Sequence, residues 1–424
     1  MQRIDHSAVG ETVWTDVLGN GLRLCVVPKP GFSTAYAAFA TNYGGAHRRF
    51  CVDGRMTDTP AGVAHYLEHK MFDMPDGNNA LQRLNANGAD PNAFTSAGMT
   101  CYYFSCTRNF EENLRLLLEF VSTPYFTEET VKKEQGIIAQ EIAMGDDDPG
   151  SVIYYRLLRL LYAHHPIRDN VAGTVDSIRQ ITADTLYDCH KVFYAPSNMV
   201  LCVEGDVDPE QVRAIAEAVL PREKSSVPVA DFGEAEGELP AALTTSRQMQ
   251  VSAPQFLFGA RLTPAEGREQ LRQRQVAQLS LRLLLGASSP FYTGLYAKGL
   301  LNRDYSYEVD YAADTATVFI SGESRDVPAV ADALAAEVER VGREGFDAAY
   351  FERTKRASLG AKLRGLEYFE SVCLSLAEGL FAGYDALEAP AVLSEITAAE
   401  CVAFIRDTLN RDRLALSVIL PGRE

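Results

Sequence analysis

His65-Tyr66-Leu67-Glu68-His69 is the stretch from which the rest of the chain is read. Residues four apart on a helix lie about 40° apart around its axis, so His65 and His69 point the same way, with Glu68 on that face. Two imidazoles and a carboxylate converging in this way are what a catalytic zinc needs: two ligands, and a base for the water it activates. Only 7 of the 424 residues are His, so the pattern arises by accident on the order of once in a hundred such chains. The competing reading is an amphipathic surface helix with an incidental His pair. Thr59-Pro60 predicts an N-cap followed by proline at the first helical position. Residues 61–72 carry the helical apolar spacing, and the chain breaks at Met74-Pro75-Asp76-Gly77. Two histidines do not close such a site, so a further ligand must come from elsewhere.

Outward from that helix, residues 22–28 and 33–43 read as apolar strands, and residues 80–87 as a short helix. Asp90-Pro91 opens an extended segment, Asn92-Ala93-Phe94-Thr95, and residues 100–107 form a strongly β-prone strand. A helix over 109–123 follows. The next helix, with Thr127 as its N-cap, runs to about Met144 and carries Glu134 and Glu141 two turns apart on one face. That face also holds Ile137 and Ile138. A carboxylate beside buried isoleucines is costly unless something neutralises it, and a zinc ion would. The plainer alternative is a helix charged on its solvent side.

In this order, His65-x-x-Glu68-His69, the Asn-Ala-Phe-Thr segment and Glu134 with Glu141 resemble the pitrilysin/insulinase metallopeptidases. The pentapeptide is the inverted zincin signature. The resemblance runs over essentially the whole chain and is closest to the single-length bacterial branch akin to mitochondrial processing peptidase. It implies one Zn2+ per chain on His65, His69 and Glu141, Glu68 as the general base, and Glu134 as a catalytic-site carboxylate orienting a ligand. It also implies that Asn92, Ala93, Phe94 and Thr95 form an edge strand to which a substrate peptide adds through main-chain hydrogen bonds. The activity implied is zinc-dependent endopeptidase action on peptides or unfolded segments in an enclosed chamber. A non-catalytic scaffold or peptide-binding subunit is the alternative. A structural zinc would need a fourth protein ligand, for which His47 is the nearest remaining histidine in sequence.

One departure bears on partners. Members with full active sites add an Arg and a Tyr seven apart that bind the scissile carbonyl oxygen. Aligned on Gly299-Leu300, the Arg falls at Leu295 or Tyr296 and the Tyr at Asn302 or Arg303, so the pair is absent. Arg303 and Tyr305 lie nearby, read as two apart on a strand. The resemblance therefore implies a heterodimer in which a metal-free paralogous subunit supplies the pair, with a homodimer as the second choice.

Internal repetition organises the chain. Phe126 with Val131-Lys132-Lys133-Glu134 recurs as Phe346 with Phe351-Glu352-Arg353-Thr354, and Ile181-Thr182-Ala183 recurs as Ile396-Thr397-Ala398. Carried across on the first repeat, Glu141 falls on Ala361, so only the first half binds metal. The expected class is α+β: two homologous modules, each a largely antiparallel sheet with helices on one face, together half of a clamshell. The divisions are residues 1–222 for the zinc-binding module, 223–250 for a polar, mobile linker and 251–424 for the metal-free module. A net charge of −17 and a pI near 5.0 weigh against nucleic acid or an anionic membrane as partner. Residues 1–6 form no apolar h-region, no run of 18 apolar residues occurs, and the eight cysteines are scattered without a Cys-x-x-Cys pair. Reduced thiols in a cytoplasmic protein are the expectation.

Overall fold

Two strands with every residue buried, Ala35–Thr41 and Met199–Gly205, lie side by side in the first sheet. Strands of that kind need cover on both faces of the sheet. In the computed structural model, which describes residues 1–422, the chain begins β1 (Gln2–His6), β2 (Glu11–Val17), β3 (Arg23–Pro28), β4 (Ala35–Thr41), β5 (Arg49–Val52) and β6 (Arg55–Asp58). Helices α1 (Val63–Lys70) and α2 (Ala80–Ala86) lead into β7 (Ala89–Thr95) and β8 (Thr100–Cys106). Then come α3 (Phe110–Ser122), α4 (Glu128–Asp147), α5 (Pro149–Leu161), α6 (Val175–Ile178), α7 (Ala183–Phe193), β9 (Met199–Gly205) and α8 (Pro209–Val219). The second half runs β10 (Val229–Ala230), β11 (Thr244–Met249), β12 (Gln255–Leu262), α9 (Gly267–Leu285), α10 (Pro290–Ala297), β13 (Ser306–Ala312) and β14 (Thr315–Glu323). It closes with α11 (Val327–Glu344), α12 (Ala348–Gly365), α13 (Phe369–Ala382), α14 (Ala389–Glu395), α15 (Ala398–Thr408) and β15 (Ala415–Pro421).

The first sheet has the order β1-β2-β3-β9-β4-β8-β7, antiparallel except between β3 and β9. The second has the order β11-β15-β12-β14-β13, antiparallel except between β11 and β15. This is the expected α+β class. On one face of the first sheet, Leu24, Val26, Phe39, Phe104 and Leu201 pack against helical residues such as Leu67 and Leu117. The alternate residues Cys25, Val27, Ala38 and Cys202 meet Phe369, Val372, Cys373 and Leu376 of α13 on the other face. In the second sheet, Phe256, Phe258, Val318 and Ile320 share a core with Leu281, Leu284, Leu334 and Ile405. Its opposite face receives α5. A Cβ at Gly259 would come within 2.7 Å of Leu157, and Tyr162 shares a 2.6 Å hydroxyl hydrogen bond with Thr317.

Each sheet thus takes one helix from the other half of the sequence. The compact units follow that exchange rather than the linear division at 222 and 251. One comprises residues 1–142, 170–233 and 364–388, the other 143–169, 234–363 and 389–424.

Residues 223–250, expected as a mobile linker, are tied down at both ends. Val229 and Ala230 pair with Cys51 and Phe50, and β11 lies parallel to β15. Between them, the Glu236 carboxylate accepts the backbone N–H groups of Ala163, His164 and His165 at 2.7–2.8 Å. Polar composition there reflects an exposed path, not a free one. The repeated Ile-Thr-Ala has a plain structural meaning: Thr182 and Thr397 are N-caps of α7 and α15, each closing a capping box. All eight cysteines are free, and no helix among the described residues is long and apolar enough to cross a membrane.

Candidate metal centre

Helix α1 starts later than the Thr59-Pro60 signal suggests. Both the backbone N–H and the hydroxyl of Thr59 donate to the Arg48 carbonyl, which holds Thr59 on the β5–β6 hairpin. The N-cap is Gly62, at φ +99°, where a Cβ would come within 2.6 Å of the Ala172 carbonyl oxygen. Only glycine meets both conditions without strain. Val63, Tyr66 and Leu67 bury the apolar side of α1, and the Tyr66 hydroxyl donates to the Val131 carbonyl of α4. That bond fixes α1 against α4, and the remaining face of α1 is left to His65, Glu68 and His69.

Those residues converge with α4. His65 Nε2 lies 3.5 Å from Glu141 Oε1, and His69 Nε2 lies 3.5 Å from Glu141 Oε2. The imidazole centroids are 4.6 Å apart. One donor atom from each of His65, His69 and Glu141 lies within 4.8 Å of the others, the only such group of His, Cys, Asp or Glu among the described residues. Separations of 3.5 Å are long for hydrogen bonds. They match the edge of a tetrahedron whose corners stand about 2.0–2.2 Å from a central zinc. The donor set, two imidazole nitrogens and a carboxylate, is also one that zinc takes. The residues present fit the ion.

Glu134 acts behind His69. Its Oε1 lies 3.0 Å from His69 Nδ1, so Nδ1 donates to the carboxylate and, in the neutral ring, Nε2 keeps its lone pair on the Glu141 side. Burial disfavours the charged His69 ring, but the Glu134 hydrogen bond and the charges of Glu141, Glu134 and Glu68 override it and raise its pKa. The hydrogen bond with His69 lowers the Glu134 pKa against the opposing effect of burial. Contact with His65 does the same for Glu141. In the metal-free chain, then, two carboxylates are held ionised beside the two imidazoles, a site that favours a cation.

The fourth residue is Glu68, whose Oε2 accepts a 2.6 Å hydrogen bond from the Thr95 hydroxyl. Thr95 ends β7, the outermost strand of its sheet, paired on one side only with β8. The Asn92-to-Thr95 segment is therefore an edge, and its last residue touches the candidate base. Its side chains divide between faces: Ala93 packs toward α1, whereas Phe94 packs into the core on the α13 side.

Some expectations need correcting. Ile138 is buried, but Ile137 is 48 % exposed, so the carboxylate face of α4 is less apolar than the sequence implied. His47 plays no part: its Nδ1 accepts the Gly44 N–H at 3.1 Å and its ring packs on Tyr43 and Phe193. Arg303 sits exposed in a turn and Tyr305 just before β13, so neither lies on a strand. Sequence reading placed Thr95 on the edge strand but missed its hydrogen bond to Glu68, and it missed the Tyr102–Tyr194 hydroxyl pair, 2.9 Å apart. Burial, and to a lesser degree the nearby charge of Glu68, raise the pKa of both phenols. A threonine ending a predicted edge strand was the one available signal.

Comparison with known proteins now bears on the site. Residues 51–175 match "Insulinase (Peptidase family M16)", and residues 180–358 match "Peptidase M16 inactive domain". A Bacillus subtilis (strain 168) protein named uncharacterized zinc protease YmfH is 36 % identical over 430 residues, covering 99 % of each chain. The chain belongs to the M16, or insulinase, peptidase family. Among solved M16 structures, an M16-like peptidase from Alicyclobacillus acidocaldarius superposes with a TM-score of 0.93 at 32 % identity, over 97 % of this chain and 99 % of that one. Pitrilysin shares the fold alone, at 16 % identity and a TM-score of 0.77, the whole chain matching 47 % of pitrilysin. The three candidate metal ligands of this M16 chain all fall in its first half, outside the residues that match the inactive domain.

Proposed function

We propose that this chain is a zinc-dependent endopeptidase of extended peptides or unfolded segments, and the metal-bearing subunit of a two-subunit enzyme. The observation that carries the reading is the convergence of three zinc-type donors with a separate carboxylate, Glu68, tied to an open sheet edge. His65, His69 and Glu141 would hold one Zn2+, which when bound supplies a Lewis acid that acidifies water and polarises a carbonyl. A substrate strand pairs along β7, which sets its backbone beside Thr95. Glu68, oriented by the Thr95 hydroxyl, takes a proton from the attacking water and returns it to the leaving amine. Glu134 keeps the His69 proton on Nδ1.

The two-subunit part rests on the missing Arg and Tyr. Arg303 is exposed in its turn, and Tyr305 packs among Phe291, Tyr292 and Tyr307 with a buried hydroxyl that has no hydrogen-bond partner. Loss of one carbonyl-oxygen donor typically costs about 10²–10³ in turnover. The purified chain should bind zinc yet cleave a quenched peptide feebly, and a metal-free paralogue carrying the Arg and Tyr should restore turnover. Full activity from this chain alone, undiminished by Arg303→Ala and Tyr305→Phe, contradicts the two-subunit assignment. Zinc without cleavage, even with the paralogue present, would favour a peptide-binding scaffold.

A further inference from the structure

Strand β7 has a second face. Thr95 turns toward α1, whereas Asp90 and Asn92, five and three residues earlier, point to the α13 side of the sheet. There they line a cavity of about 510 Å3 closed by the start of α13 and the loop before β4. Its floor is Tyr36, only 3 % exposed, stacked on Tyr103 with ring centroids 5.5 Å apart. The Tyr36 hydroxyl is buried without a hydrogen-bond partner. A buried hydroxyl with no partner beside a cavity gains a hydrogen bond from a donor that reaches it. Facing it, Phe32, 50 % exposed, meets Phe369 at 5.4 Å to form an aromatic side wall.

The charge on this cavity has one sign. Asp90, Glu367 and Glu370 line it, and among the described residues no lysine, arginine or histidine does. Burial raises the Tyr36 pKa, and Glu370 is among the negative groups that raise it further. The first turn of α13 would by itself favour an anion, but Glu370 already occupies that turn. Aromatic faces, carboxylates and an unpartnered phenol together suit a guanidinium or ammonium group, which can lie on the rings, pair with the acids and donate to the phenolic oxygen.

We propose that this cavity takes the basic side chain of a lysine or arginine in a peptide paired along β7. Side chains of an added strand alternate between faces, so residues opposite Asp90 and Asn92 present theirs to the cavity. At about 3.3 Å per residue, these positions lie roughly 10–17 Å along the strand from the one opposite Thr95. The enzyme would then favour substrates with a basic residue three to five positions from the residue beside Glu68. This rests on the peptide-docking reading above, and the experiment separates the two.

The cavity is tested first without any peptide strand. Saturation-transfer NMR on the wild-type chain should show Nα-acetyl-arginine amide bound and Nα-acetyl-citrulline amide not, with the arginine signal lost in Glu370→Gln and weakened in Tyr36→Phe. Equal signals from the two analogues, an arginine signal that survives both substitutions, or a preference for Nα-acetyl-aspartate amide overturns the proposal. Fluorescence anisotropy on the Glu68→Gln chain then scans one arginine along an extended neutral peptide. At one or two positions, replacing arginine by citrulline should weaken binding roughly tenfold, and that ratio should collapse in Glu370→Gln. Peptides that bind with no arginine preference at any position overturn the substrate assignment. If acetyl-arginine amide binds but no peptide does, the cavity stands as a cation site and the docking along β7 is what fails.

Discussion

Helix α4 of the first unit and α12 of the second occupy equivalent places in the internal repeat, yet their contacts are closed by opposite chemistry. Against α1, α4 presents Glu134 and Glu141, and with Glu68 the cluster sets three carboxylates around two imidazoles. Against α9, α12 presents Thr354 and Ala361 at those positions, and the two helices close the contact with one donor each. Lys362 Nζ donates to Gln278 Oε1 at 3.0 Å, and Arg282 donates to Ser358 Oγ at 3.3 Å. Gln278 and Arg282 are spaced i, i+4 on α9, as His65 and His69 are on α1. The same helical spacing therefore serves both units. At this contact the second unit pairs Lys362 and Arg282 with acceptors of its own chain, while the first has an excess of acceptors suited to a cation.

That contrast can be broken at its strongest point. His69→Ala or Glu141→Ala should strip zinc and lower peptide hydrolysis by about 10³-fold or more, since two protein ligands do not form a stable site. Lys362→Ala in the second unit should leave zinc content unchanged. Metal analysis after dialysis, with a quenched-peptide assay, checks both. Retention of a full zinc equivalent by Glu141→Ala would mean that another group holds the ion.

A smaller effect is expected at Glu134, which touches His69 and lies outside the candidate ligand set. Glu134→Gln should weaken zinc affinity about 10–100-fold, read by competition with a chelator of known affinity. No change would show that the His69 tautomer is fixed without it.

The smallest expected effect concerns buried charge. Glu204 in β9 is fully buried with Lys29 Nζ at 3.3 Å, whereas the second unit has no buried carboxylate among its described residues. Burial pushes the Glu204 carboxyl up to about 7, against the partial offset from Lys29. Its folded pKa lies above its unfolded value of 4.5, so the folded state holds the proton more tightly. The stability it confers is present below about 4.5 and lost as pH rises to about 7. Glu204→Gln should abolish that part of the pH dependence, raising the thermal midpoint by a few degrees at pH 8 and little at pH 5. An equal shift at both pH values would show that Glu204 does not titrate in this range.

The sequence carried the site further than the architecture. His65, Glu68 and His69 were legible because metal chemistry and helical spacing restrict each other; the regular helix after Thr127 put Glu134 and Glu141 on one face, and the family resemblance singled out Glu141 as the ligand. The extended β7 segment was legible from Asp90-Pro91 and the β-prone strand after it, and its place at the edge came from the family resemblance. What was hidden depends on tertiary partners. The apolar faces of α5 and α13 show that each must be buried but not on which sheet, so the exchange of helices between the halves could not be read from periodicity. Gly62 outcompeted Thr59 as the start of α1 because Arg48 engages Thr59 and Ala172 crowds Gly62, contacts more than ten residues away. Val229 and Ala230 pair over too short a span to show through a polar segment. The Thr95–Glu68 hydrogen bond joins residues on separate elements, and no local pattern marks it.

The most direct test of the account compares wild-type chain and Glu68→Gln, each with a metal-free paralogue present, for zinc content and peptide hydrolysis in the same preparations. The account predicts one zinc per chain in both proteins, hydrolysis by the wild type, and a loss of roughly 10²–10⁴-fold or more in the variant. A Glu68→Gln chain that cleaves at the wild-type rate, or a wild-type chain that cleaves without zinc, would contradict it.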